Sequence, residues 1–254
     1  MKKRYGRTRV LALHPPGATP DFWDEIVAAA PQFEVLAPDL VALLHAVGGR
    51  LGPLVRALVG MVPRRRVLLT GCEIGANIAL EVAALLGERA AGVLLLSPQP
   101  VRPGPTYRER MRMLAKLTRT NMDADEAAAM APLMVNRANG RSQATETAAA
   151  MLREAGGAAS APLLQLAADF PEGYLALKLI RAPVRALFGA ESLNPFPGPN
   201  WISDWRKALG SENVDLLAEA RQWLALEDPQ RIAAELCALD ARSGGPEAHP
   251  ATSS

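Results

Sequence analysis

The sequence predicts an α/β fold, a mostly parallel central sheet with helices on both faces. Two patterns carry this. Short apolar runs alternate with amphipathic stretches from end to end, the order in which a parallel sheet acquires its covering helices. One such run, Val67-Leu-Leu-Thr70, passes through a glycine-framed turn, Gly71-Cys-Glu-Ile-Gly75, into a helical pattern. The length of 254 residues suits one large α/β domain or two small ones and is ample for a sizeable core.

Taken in order, strands are expected at Arg9 to Leu13, Phe33 to Ala37, Arg66 to Thr70, Ala91 to Leu96, Val184 to Phe188 and Val214 to Ala218. Ile74, Ile78, Val82, Leu85 and Leu86 recur at helical spacing and should seat the helix after the glycine turn on the sheet. Asp228-Pro229 supplies an N-cap and a first-turn proline for a last helix through Ile232, Leu236 and Leu239. The alternation stops between about Val101 and Leu179. That stretch reads as helices, Tyr107 to Thr118, Ala124 to Val135 and Ala144 to Ala155, separated by Asn-Gly and Gly-Gly breaks. Helices inserted between two strands of such a sheet would lie over the carboxyl ends of the strands, where ligands bind. The expected organisation is a core of residues 1–100 and 180–242, a helical cap of residues 101–179, and a disordered tail of residues 243–254.

A hydrophobic fraction of 49% with 21% charged residues is that of an ordinary globular protein. The net charge of +2 is too small to argue for nucleic acid or an anionic membrane, and no window approaches the length that spans a bilayer. Lys2, Lys3, Arg4, Arg7 and Arg9 read as a solvated arm. The apolar stretch behind them, Val10 to Leu13, is too short for the core of a signal peptide. Cys72 and Cys237 make neither a disulfide framework nor a metal site. These features predict a reduced, cytoplasmic protein whose site uses no cofactor and no metal and whose partner is a small-molecule or peptide ligand. The Ala-, Arg- and Leu-rich composition suggests a GC-rich bacterial genome.

The glycine turn has the frame G-x-Nu-x-G of a nucleophile elbow, with strand before and helix after. Its glycines should allow the tight turn and the close approach of helix to strand while the middle residue takes a strained conformation. The middle residue is Glu73. Centring the motif on Cys72 would need glycines at Thr70 and Ile74, so Cys72 is expected as a buried thiol facing the sheet or a neighbouring loop.

With these residues in place the chain resembles the α/β-hydrolase superfamily along most of its length. Val10-Leu-Ala-Leu-His-Pro-Pro-Gly17 with Phe22-Trp23 resembles the first core strand and its oxyanion loop, and Val35-Leu-Ala-Pro-Asp-Leu40 the next strand. The elbow follows, then Gly92 to Leu96, then the helical stretch. Ala182 to Ser192 resembles the strand whose loop carries the catalytic acid, and Arg221-Gln222-Trp223 through Pro229 the segment whose histidine completes the triad. The resemblance implies a nucleophile at Glu73, an acid at Ser192 (or Glu191 if the register slips) and a histidine at Gln222. None of the three is the residue a serine hydrolase uses. Haloalkane dehalogenases and epoxide hydrolases form an ester on a carboxylate at the elbow. They need a histidine to release it, which Gln222 is not.

Of the other histidines, His14 falls in the oxyanion loop, His45 in an apolar stretch and His249 in the tail. The oxyanion donors would be Ile74 N–H and Gly17 N–H, since Pro15 and Pro16 have none. The expected site is therefore Glu73 as the catalytic group, with His14, Gly17, Ile74, Ser192, Gln222 and Trp223 binding, Asp39 capping its loop, and Met111, Met113 and Met134 as candidate cap contacts. Two functions suit such a site. One is proton transfer next to a carbonyl (epimerisation, isomerisation or cyclisation) in bacterial natural-product biosynthesis, where tailoring proteins similar in lacking the triad include the bottromycin peptide epimerase. The other is a catalytically inactive ligand-binding or regulatory protein.

Overall fold

The computed structural model describes residues 7–118, 123–136, 142–191 and 201–243. The strands are β1 (Thr8–Leu13), β2 (Phe33–Leu36), β3 (Val67–Cys72), β4 (Ala90–Leu96), β5 (Val184–Gly189) and β6 (Val214–Leu217). They form one sheet in the order β2-β1-β3-β4-β5-β6, and every pairing is parallel. The central strands β3 and β4 are buried at every residue, as strands covered on both faces must be. β3 runs two residues further than expected, because Gly71 and Cys72 keep pairing with Leu95 and Leu96. A glycine read as a turn signal is here the last part of the ladder.

Side chains leave alternate faces of each strand, so the core divides in two. Leu11, Leu13, Leu69, Val93 and Leu95 pack with α2 (Leu40–Ala46), α3 (Leu51–Met61), α4 (Ile74–Leu86) and, through Trp205, α9 (Trp201–Leu209). Val10, Ala12, Leu68, Leu94 and Leu96 pack with α1 (Asp24–Ala29), α10 (Leu224–Glu227) and α11 (Pro229–Arg242). Asp39 caps α2 by accepting from Val41 and Ala42 N–H, and Asp228 caps α11 by accepting from Arg231 N–H.

Between β4 and β5 lie α5 (Pro105–Leu117), α6 (Ala124–Met134), α7 (Ser142–Asp169) and α8 (Tyr174–Leu179). Asp123 and Glu126 form a reciprocal capping box that starts α6. α7 runs past the expected stop near Ala155. The chain kinks at Gly156 (φ 64°, ψ 165°) and resumes as helix. Ala148, Met151 and Leu152 before the kink join one core, while Leu163, Leu166 and Ala167 after it join the other. That second burial stabilises a helix not legible as a separate element. The tail from residue 244 and the residues Lys2, Lys3, Arg4 and His249 lie outside the described residues. Among the described residues no single helix is long and apolar enough to cross a membrane.

Candidate active site

β2 leaves the sheet on one side of β1 and β3 to β6 continue on the other, so the strand order reverses between β1 and β3. A crevice opens there at the carboxyl ends, and the turns that follow those two strands border it.

The turn after β3 is a sharp elbow with Glu73 at its vertex, at φ 52° and ψ −119°. A non-glycine residue in this region is strained, and the surroundings hold it there. Glu73 N–H donates to Leu96 O at 3.0 Å. A Cβ on Gly71 would stand 2.3 Å from Gly75 O, and one on Gly75 would stand 2.3 Å from Leu13 O. Only glycines let α4 start against β1 this closely.

The Glu73 side chain is half-buried, at the base of a cavity of about 400 Å³. Its Oε1 accepts from the indole Nε1 of Trp223 at 3.1 Å. Trp223 is fully buried and packs edge-to-face on Phe22, with ring centroids 5.5 Å apart. Desolvation raises the Glu73 carboxyl from 4.5 to about 7, against the Trp223 hydrogen bond, which favours the ionised form. The carboxyl therefore divides between acid and carboxylate near neutral pH.

Gln222 lies on the same cavity wall, as does Gly17 at φ 80°. The N–H groups of Gln222 and Trp223 both donate to Met134 O, at 3.0 and 2.9 Å, which binds their loop to the end of α6. Cys72 Sγ reaches Gln222 O at 3.4 Å from the other side. Burial, then the charges of Glu73 and Glu227, push the Cys72 thiol well above its usual range, so it is a buried contact and no nucleophile. The cap side of the cavity is mostly apolar and includes Met111, Leu114, Met130, Met134 and Leu152. A wider groove on the outer face of α5 is lined by that helix alone and contains neither Glu73 nor Gln222.

Several expected contacts lie elsewhere. His14 is buried and does not line the cavity. Its Nε2 accepts from Leu40 N–H at 3.0 Å, and its Nδ1 lies 3.0 Å from Pro15 O. Both contacts are satisfied by a neutral ring protonated at Nδ1, and burial lowers its pKa to match. His14 thus ties the turn after β1 to the start of α2 and lies away from the residues that line the cavity. The Ile74 side chain is core, leaving only its N–H at the start of α4, where helix geometry provides no internal acceptor. Ser192 lies outside the described residues. Glu191 is exposed and accepts from Asn136 Nδ2 at 2.8 Å. His45 is exposed on α2, and Met113, 51% exposed, is not a cap contact.

Other residues at the site were not singled out by sequence. Tyr107, Arg110, Leu114 and Thr118 line the cavity beside the expected Met111, from one face of α5 and its C-terminal cap. Their spacing of three, four and seven was a helical stripe open to inspection, but its polar members made it look like surface. Buried Glu227 accepts from the N–H groups of Asn136 and Arg221, joining the end of α6 to the loop that carries Gln222. No local pattern announces it.

No protein-family model matches the sequence, and no curated protein is similar to it. Solved structures are. An esterase from Thermogutta terrifontis superposes with a TM-score of 0.68 at 17% identity, over 93% of this chain and 90% of that one. A hydrolase from Oleispira antarctica gives 0.66 at 15% identity, over 91% and 92%. The thioesterase domain from the curacin biosynthetic pathway gives 0.62 at 13% identity, over 92% of each.

The chain has the α/β-hydrolase fold. Sequence identities this low carry the likeness to the fold and no further. In the α/β-hydrolase fold the elbow vertex is the nucleophile position, and here it presents a carboxyl whose pKa is raised by burial and partly offset by a hydrogen bond from a tryptophan 150 positions away. Trp223→Phe is expected to raise the Glu73 pKa further above about 7, since it removes the one hydrogen bond favouring the carboxylate among the described residues. The pH dependence of unfolding measures this. The pH range over which stability falls should extend upward while its lower limit, set by the unfolded chain, stays in place, and an unmoved upper limit would make the bond unimportant.

Proposed function

We propose that the protein is a non-hydrolytic α/β-hydrolase-fold enzyme that moves a proton at a carbon next to a carbonyl, by epimerisation, isomerisation or cyclisation, with Glu73 as acid and base. Its ligand is a small molecule or peptide, and its setting is bacterial natural-product biosynthesis in the cytoplasm. One observation carries the reading: the Glu73 carboxyl at the elbow vertex, held by Trp223 at the base of a mostly apolar cavity.

Hydrolysis through this elbow would put an acyl or alkyl group on Glu73 and then need a base to activate water. Gln222 occupies the wall at that point, and its amide does not accept a proton at ordinary pH. Among the described residues no histidine lines the cavity. Proton transfer asks less. A carboxyl of pKa about 7 is well matched to taking a proton and returning it at neutral pH.

Two outcomes follow. A fluorophosphonate probe is expected to leave the protein unlabelled, and stoichiometric labelling would overturn the non-hydrolytic reading. In heavy water, bound carbonyl ligands drawn from neighbouring biosynthetic genes are expected to take up deuterium at the carbon beside the carbonyl. The rate should rise with pH and level off above about 7, as Glu73 becomes the base. Tight binding without uptake, change of configuration or new product would favour the inactive binding or regulatory protein.

A further inference from the structure

A proton taken from beside a carbonyl leaves negative charge on the carbonyl oxygen, and in an apolar cavity that charge needs a donor. The loop after β1 offers few donors beyond Gly17 N–H. Pro15 and Pro16 have no N–H, and Ala18 N–H is taken by Pro15 O at 3.3 Å. The cap side supplies another candidate. Tyr107, in the first turn of α5, lines the same cavity as Glu73. Its ring is buried and packs edge-to-face on Trp201, with centroids 6.5 Å apart. Among the described residues no hydrogen bond holds its hydroxyl. It has a polar tip and no structural task for it.

We propose that Tyr107 is a further catalytic residue, its hydroxyl donating to the substrate carbonyl oxygen while Glu73 takes the proton from the adjacent carbon, and that the substrate is a predominantly hydrophobic carbonyl compound. This rests on the acid–base reading of Glu73. The C–H electron pair becomes the C=C bond, the carbonyl π pair moves to oxygen, and the proton rests on Glu73. Tyr107 keeps its own proton and stabilises the enolate oxygen. Return of the proton from Glu73 to carbon regenerates the carbonyl and the carboxylate. Burial and the nearby Glu73 charge push the Tyr107 phenol well above its usual range, so it stays a donor. The substrate class follows from the walls. Met111, Leu114, Met130, Leu133, Leu152 and Leu164 offer apolar surface, with Arg110 and Glu73 as the charged groups of the lining. The cavity volume of about 400 Å³ falls in the small-molecule range of about 300–1,000 Å³.

The probe is 2-undecanone with its shorter and longer homologues. Binding is read by calorimetry, and loss of the hydrogens beside the carbonyl by NMR in heavy water. The wild-type protein is expected to bind and exchange. Glu73→Gln should abolish exchange, while Tyr107→Phe should keep affinity within about threefold and slow exchange at least about thirtyfold. Exchange at the wild-type rate in Tyr107→Phe overturns the role of Tyr107 and leaves that of Glu73 standing. Binding without exchange in the wild type overturns the acid–base reading and this inference with it. No binding by any homologue overturns the substrate class. Should Tyr107→Phe fail to fold, Tyr107→Leu, which has no donor and is smaller than tyrosine, carries the same comparison.

Discussion

Glu73→Gln is expected to stabilise the protein at pH 8 while abolishing its proton transfer. Unfolded, the carboxyl titrates near 4.5, and folded it titrates near 7, so the folded state holds the proton more tightly. The stability contributed by this group is fully present below pH 4.5 and is lost as pH rises through about 7. The full loss is at most about 3 kcal/mol, less whatever solvent in the cavity screens. Glutamine keeps the shape and an oxygen for Trp223 Nε1 but cannot ionise. The variant should match the wild type at about pH 4, below the unfolded value of 4.5, and exceed it at pH 8, and urea unfolding at both pH values measures this. Exchange at a carbon acid should fall at least about a hundredfold, equivalent to about 2.7 kcal/mol of barrier. Parallel stability–pH curves for the two proteins would show that Glu73 does not titrate near neutrality. A variant less stable at every pH would make the carboxyl a structural group.

Gly75→Ala is expected to cost more than about 4 kcal/mol and leave little folded protein. Its Cβ would stand 2.3 Å from Leu13 O and 2.8 Å from His14 O. Both are backbone atoms. Leu13 is the last residue of β1 and fully buried, and His14 is tied to Leu40, so neither can move without opening the sheet at its switch point. Gly60→Ala, in α3 with nothing within 4 Å of the added atom, is the control and should gain about 0.5–1 kcal/mol from helix propensity. Circular dichroism and thermal melts of the pair measure the contrast. A Gly75→Ala protein within about 1 kcal/mol of wild type would mean that the elbow is not held against β1.

What could be read directly from sequence was local and periodic. Among the described residues the apolar runs placed each of the six strands to within two residues, because both central and edge strands are short runs of apolar residues bounded by polar or turn-forming ones. The frame Gly71-x-Glu73-x-Gly75 announced the elbow, because a missing Cβ leaves a mark that needs no neighbour to interpret. Asp39 and Asp228 read as caps for the same reason, their hydrogen bonds closing within three residues.

Other features depended on partners far along the chain. His14 looked like a ligand contact until Leu40 N–H was found at its Nε2. The second half of α7 passed unseen because its leucines make sense only against a core built by other elements. Tyr107 needed Glu73 and Trp201 beside it to stand out. The sequence by itself determined the sheet, the elbow and the identity of the residue at its vertex. Only the tertiary structure decided that this carboxyl meets an indole from the far end of the chain inside a cavity roofed by α5, α6 and α7. Strand pattern and turn geometry are set by neighbours a few residues apart, whereas desolvation, and with it the charge on Glu73, is set by everything folded around it.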